Sequence, residues 1–489
     1  TVSGDGVGVG RQREERSGEW LALSGSLPVW LVGRLIRNGP GQFEAGETRL
    51  DHWFDPYAML RSFRIDGRTD SVDYTNRFVR SEDVRHARSE GEVRRMLPGT
   101  PPDRPVWTRL RHSLTGAFQD NPSIGVFDAG GITAITESPA GIRVDPDSLE
   151  TTGRRDLTTG LDADFTLGHP HYDPDRDAFV NFAVSYGRGA TYTLFERDPQ
   201  TTAVDVICEL PFDDAPYAHS FALTDEFAVF AAIPYGLDTT QLLTGALSGG
   251  TFVDAVTDFQ DGIGGQTETR DARFVVIDRD RGEIHREVPA DPFFVFHHAN
   301  AHRAGDDLLV DLIAYDDERA MTRLTLDNLA SDTPDIPAGD LVRYRVPLDE
   351  GRASSETLYE GQVEFPTFDY PDRLGSAYRY CYMAANADGS SLPTRLVKYD
   401  LDNRTATSWA PDGTAFPGEP LFEKAPGADR EDAGVIVTTV LDADAERTDL
   451  VVLDAGDMTQ IARATGVHRL PYGFHGQFYR DGNRVRSMA

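Results

Sequence analysis

Four histidines, His169, His219, His297 and His475, are spaced in a way that points to shared chemistry. They follow Asp145, Asp198, Asp278 and Asp454 respectively at a nearly constant offset, although more than half of the chain separates the first histidine from the last. A single buried histidine is usually a satisfied core residue, but four at one phase of a repeat read as a ligand set. Neutral imidazoles without cysteine argue against structural zinc, which favours closed Cys-rich tetrahedra. A four-histidine set with open cis positions suits Fe(II) that must bind O2, and by ligand type alone it also accommodates copper or manganese. A metal-bound imidazole normally donates its other N–H to a carboxylate or carbonyl. Glu364 follows Asp349 and Glu419 follows Asp400 at a comparable phase, and Glu137 sits on a strand just before the second hairpin. These three are the expected acceptors. His171, His298 and His302 are read as structural.

Converging these histidines requires elements that return to one axis. A β-rich run ending in or near Asp, a short polar turn and another β-rich run recur seven times, centred on Asp66, Asp145, Asp198, Asp278, Asp349, Asp400 and Asp454. Three of the intervals, Asp145 to Asp198, Asp349 to Asp400 and Asp400 to Asp454, are nearly equal, and the other three are longer. A base period of roughly 50 with insertions fits four-stranded blades, each with an outer hairpin. Asp, Gly, Asn and Pro are the residues such turns use. The fold class is therefore all-β, a seven-bladed propeller, rather than a sandwich with ordinary Asp turns. An offset of about 20 residues carries the chain from an outer hairpin to the next blade's innermost strand, which lines the axis. Helical signals are sparse. Residues 83–96 and 239–256 are expected to be helices or irregular caps over the axial metal site.

Composition narrows the setting. Of 489 residues, 80 are acidic and 48 basic, giving a net charge of -32, and lysine occurs only at Lys398 and Lys424. Excess carboxylate with almost no lysine resembles proteins of halophiles. Such a surface excludes nucleic acid as a partner and leaves only apolar contact with membranes. Cys208 and Cys381 give neither a disulfide framework nor a metal clip. Residues 1–18 read as a disordered polar tail, and 19–489 as one domain. No run of 18 apolar residues occurs, so no membrane-spanning helix is expected and a cytoplasmic setting is.

The chain resembles the carotenoid cleavage oxygenase family, which includes the retinal pigment epithelium isomerase and stilbene-cleaving enzymes. The resemblance runs from about residue 30 to residue 480. It is carried by IRNGPGQF at 36–43, HWFD at 52–55, NRFVRSED at 76–83, TES at 136–138 and GHPHYDP at 168–174. It continues through YAHSFALTDEFAVF at 217–230, FHHANA at 296–301, EFPTFDY at 364–370, GEPLF at 418–422 and PYGFHGQF at 471–478. The ordered set is specific where any one motif is not. The family pattern departs at Pro56, where Gly is usual, and at His302 and Arg303, where an aromatic residue and Glu are common. Both places are expected to border the cap.

The resemblance implies a seven-bladed propeller under a helical cap. It implies one Fe(2+) per chain on His169, His219, His297 and His475, oriented by Glu137, Glu364 and Glu419. It also puts Thr136 beside the open iron position, where its methyl group limits which site O2 occupies. The implied reaction is cleavage of a carotenoid or apocarotenoid C=C bond by O2 to two carbonyl products. Scission of β-carotene at the 15,15′ bond to retinal leads. Eccentric or apocarotenoid cleavage, a retinoid isomerase or hydrolase that consumes no O2, and a non-catalytic binding propeller are the alternatives. A monomer is expected. Leu242, Leu243, Leu247 and Phe252, on the 233–256 insertion, are the expected patch through which the cap docks on a membrane surface.

Overall fold

The computed structural model describes residues 8, 12, 14–103, 119–128, 130–187, 189–199, 201–259, 271–387 and 389–480, with side chains undescribed at 243 and 246–248. Seven antiparallel sheets follow one another along the chain as the blades of a propeller. Blade 1 has Val32–Arg37, Tyr57–Asp66 and Ser71–Phe78 at its centre. Blades 2 to 6 begin with the inner strands Gly125–Asp128, Phe165–Thr166 (continued by His171–Asp173), Ala222–Leu223, Phe294–Ala304 and Val363–Thr367. Blade 7 begins with Ala415–Pro417, continued by Leu421–Lys424.

Each of the seven aspartates stands at or just before the turn joining the third and fourth strands of a blade. In six of them the Asp side chain accepts backbone N–H groups two or three residues ahead, as when Asp278 Oδ1 accepts from Asp280 and Arg281 at 3.1 and 2.9 Å. This local capping makes the repeat legible in sequence.

Strand composition follows depth. Ala178–Tyr186, AFVNFAVSY, lies inside blade 3 with neighbours on both faces, and its first seven residues are buried. Thr405–Trp409 at the rim of blade 6 is almost wholly exposed. Facing blades bury continuous apolar clusters, such as that of Val180, Phe182, Leu194, Phe230 and Val275 between blades 3 and 4.

The chain ends close the ring. Gly476–Arg480 forms the inner strand of blade 1 against Val32–Arg37, while Ala22–Gly25 adds the outer strand of blade 7 against Gln460–Thr465. Arg16–Trp20 pairs with Ser71–Phe78 of blade 1. This corrects the disordered tail of residues 1–18 in its described part. Gln12 is buried, its amide hydrogen-bonded to His468 Nδ1 at 2.9 Å and to the Arg469 carbonyl at 3.1 Å, both in the loop after Gln460–Thr465. Residues 1–7, 9–11 and 13 lie outside the described residues.

Helices are few. The first expected segment gives α1 (Glu82–Ser89), capped by Ser81, whose side chain accepts from Val84 N. The second gives α2 (Thr239–Ser248), capped by Asp238 and stopped by Gly249 at φ 93°. Gly is the residue that takes this left-handed position without strain. Of the expected membrane patch, Leu242 turns inward: it is only 5% exposed, packed into the apolar cluster between blades 3 and 4. Phe252 is half-buried, tilted against Phe165 and edge-on to Tyr217. The side chains of Leu243 and Leu247 lie outside the described residues. Among the described residues no helix is long and apolar enough to cross a membrane.

Blades 3 and 4 are also tied by charge. The fully buried Arg279 side chain donates to Asp173 at 2.7 Å, Glu196 at 2.9 Å and the Thr224 carbonyl at 2.8 Å. Removing one partner of a buried pair leaves the other uncompensated, at about 3–5 kcal/mol. Arg279→Met is expected to lower unfolding stability by about that amount in denaturant titration. A loss under about 1 kcal/mol, the level of an exposed pair, would show that the cluster does not hold the blades together.

Candidate metal centre

The inner strands deliver the histidines to the axis. His169 lies between the two inner segments of blade 3, and His219 just before the inner strand of blade 4. His297 lies within the inner strand of blade 5, and His475 immediately before that of blade 1. All four are buried. Their Nε2 atoms converge: His169 to His219 at 3.1 Å, His169 to His297 at 3.2 Å and His297 to His475 at 3.1 Å. One ligand atom from each lies within 4.8 Å of every other. The structure thus brings together all four predicted histidines.

Each predicted glutamate meets one ring. His219 Nδ1 donates to Glu137 at 2.5 Å, His297 Nδ1 to Glu364 at 2.5 Å and His475 Nδ1 to Glu419 at 2.8 Å. With the proton held on Nδ1, the Nε2 atoms of these three rings carry bare lone pairs turned toward one another. That is repulsive unless a cation lies between them, so the donor set fits a metal ion. With metal–nitrogen bonds of about 2.1 Å, adjacent octahedral ligands lie about 3.0 Å apart, near the observed spacings. His169 and His297 each make ring contacts with all three other histidines, whereas His219 and His475 make none with each other. Four corners of an octahedron fit this arrangement, with the two missing corners adjacent.

The carboxylates are themselves fixed. Burial opposes the charge of Glu364, but His297, the Phe365 N–H at 2.6 Å and the Tyr315 hydroxyl at 2.7 Å hold it below the ordinary glutamate range. Burial likewise opposes ionisation of Glu419, and His475, Arg37 and the Gly476 N–H overcome it. Arg37 donates to Glu419 at 2.7 Å, with both side chains 2% exposed. Burial pushes the His475 imidazole down to about 4, so it stays neutral as a ligand must. Tyr217 donates to Glu137 at 2.8 Å, and burial raises this phenol and that of Tyr315 far above their usual range, keeping both as donors.

Phe365 adopts φ 55°, unusual for a bulky residue, at a bulge between Glu364 and Thr367. That backbone turns its N–H onto Glu364 and sets its ring 5.8 Å from His297 and 5.3 Å from His475.

His219, His297, His475 and Thr136 reach the wall of a large apolar cavity. Its aromatic lining includes Trp53, Phe54, Phe165, Phe252, Phe296 and Phe474. Thr136 itself is buried at this wall. The other histidines stay outside the set. His171 bonds Tyr370 and the Phe221 carbonyl, His298 bonds Ser220, and burial lowers both, to about 4 and about 3. His302 and Arg303 do not border the cap. Arg303 pairs with Glu226, near the turn joining the first two strands of blade 4, because a stretch of extended strand carries it well away from His297. Sequence reading missed Arg37, Tyr217 and Tyr315 as partners of the glutamates. Arg37 and Tyr217 stand in motifs already singled out, while Tyr315 ends an ordinary apolar strand and carries no signal.

Comparison with known proteins gives a consistent result. The family model described as retinal pigment epithelial membrane protein matches residues 10–480. β,β-Carotene 15,15′-dioxygenase of Rattus norvegicus is 28% identical over 532 residues, covering 96% of this chain and 91% of its own. Apocarotenoid-15,15′-oxygenase of Synechocystis sp. is 30% identical over 475 residues, covering 93% and 92%. A solved structure of a Synechocystis apocarotenoid oxygenase variant superposes with a TM-score of 0.85 at 26% identity, covering 97% of this chain and 98% of that one. Its cobalt-substituted form gives 0.84 at 27% identity, with the same coverage. The match along nearly the whole chain, on a shared propeller, places this protein in the retinal pigment epithelial membrane protein family, that of the carotenoid cleavage oxygenases.

Proposed function

We propose that this chain is an iron-dependent dioxygenase that cleaves a carotenoid C=C bond with O2 to give two aldehydes, and that its substrate is β-carotene, cut at the 15,15′ bond. The observation that carries the reading is a four-imidazole centre opening onto a cavity walled by aromatic side chains. Both the rat and the Synechocystis relative are named for the 15,15′ position, which supports that bond.

In this reading His169, His219, His297 and His475 hold one Fe(2+) through Nε2, and the iron supplies the redox chemistry of O2 activation. The remaining work belongs to the chain. Glu137, Glu364 and Glu419 keep the Nδ1 protons in place and so fix ring tautomer and direction. Phe54, Phe296 and Phe474 give a long apolar polyene a surface to lie against and keep water from the site. Thr136, buried at the cavity wall, would restrict the space left beside an ion held by the histidines. No side chain is required as a proton donor or acceptor, which agrees with a cavity in which the carboxylates of the described lining, Glu137 and Glu364, are both engaged by histidines. That a Synechocystis relative has been solved in a cobalt-substituted form supports a metal ion for this chain.

Two outcomes are expected. Incubated with β-carotene under isotopically labelled O2, the iron-loaded protein yields retinal alone, with label in the aldehydes. Paired unequal aldehydes would replace the 15,15′ assignment, and turnover without O2 uptake would overturn the dioxygenase reading. Glu364→Gln loses the charge that orients His297 while conserving its size, and is expected to weaken iron affinity by about 10–100-fold, read by competition with a chelator. Unchanged affinity would show that Glu364 does not support the centre.

A further inference from the structure

The chain carries 80 acidic side chains, yet one buried guanidinium meets none of those among the described residues. Arg197 ends the third strand of blade 3, Ala190–Arg197, and is 2% exposed. None of its Nε, Nη1 and Nη2 atoms has a hydrogen-bond partner among the described residues. The two carboxylates whose charge it feels, Asp156 and Asp198, are committed to their own turns. Asp156 accepts from the Thr158 N–H at 2.9 Å, and Asp198 from the Thr201 N–H at 2.6 Å. Arg155 adds a second positive charge nearby, and burial followed by Arg155 pulls Arg197 down to about 10, so it remains a cation at neutral pH. A buried, charged donor group with all its nitrogens idle is a costly arrangement that folded proteins relieve with a counter-charge.

Arg197 lines a small cavity between blades 2 and 3, apart from the four-histidine centre. Its walls include Phe127, Ile135, Leu157 and Phe179, members of one apolar cluster, and Thr136 forms a wall common to this cavity and the large one. The space admits one water-sized occupant. A bulky oxyanion fits so small a space poorly, a cation is repelled by Arg197 and Arg155, and a water molecule brings no charge. What remains is a monatomic, weakly hydrated anion, which tolerates apolar walls.

We propose that this cavity is a halide site in which Arg197 binds a single chloride ion. The ion supplies the negative charge that the surrounding chain withholds and braces the packing of blade 2 on blade 3, next to the wall that Thr136 forms.

Thermal unfolding of the full chain in sodium chloride, sodium bromide and sodium gluconate at equal ionic strength tests this. The native chain is expected to unfold a few degrees higher in either halide than in gluconate, with an effect that saturates, and Arg197→Met is expected to abolish the difference. An equal response in both proteins, or one that never saturates, would overturn the proposal. Should the variant fail to fold, crystals of the unaltered chain soaked in bromide decide the matter at the bromine absorption edge. A peak within hydrogen-bond reach of the Arg197 guanidinium supports the site, and a cavity holding only water contradicts it.

Discussion

Four imidazole lone pairs aimed at one point are the constraint on which the rest of the structure depends. Nitrogen atoms 3.1–3.2 Å apart, with the other ring nitrogens of His219, His297 and His475 committed to carboxylates, repel one another unless a cation intervenes. The fold must therefore hold the rings rigidly, and each lies in or beside a strand of a different blade. A propeller suits this task because its innermost strands face a common axis whatever the distance along the chain. The glutamates come from blades that supply no ligand: Glu137 from blade 2, Glu364 from blade 6 and Glu419 from blade 7. All seven blades thus meet at the centre, four with a ring and three with a carboxylate.

That division explains the buried polar groups near the axis. Each carboxylate would be costly in an apolar interior, and each is held by at least one further donor: Tyr217 for Glu137, Tyr315 and the Phe365 N–H for Glu364, Arg37 and the Gly476 N–H for Glu419. The left-handed backbone of Phe365 belongs to the same network, since it places an N–H on Glu364 and an aromatic ring against two histidines.

The axial centre was legible in sequence because its logic is periodic. Asp-capped hairpins repeat, the path from hairpin to inner strand has a nearly constant length, and a residue at fixed phase returns to the axis. Glu364 and Glu419 followed the same rule. What escaped depends on side-chain direction rather than phase. Leu242 looked like part of an exposed apolar patch, but α2 turns it into the cluster between blades 3 and 4. Tyr315 lies at the end of a strand whose pattern is plainly structural. The polar start of the chain lacked apolar periodicity, yet strand edges at the ring closure gave it partners.

An anomalous difference map recorded at the iron edge from anaerobically reconstituted crystals tests the central claim most directly. The account predicts one peak per chain, within bonding distance of Nε2 of His169, His219, His297 and His475. A peak elsewhere, a peak touching only some of these rings, or no peak at all would contradict it.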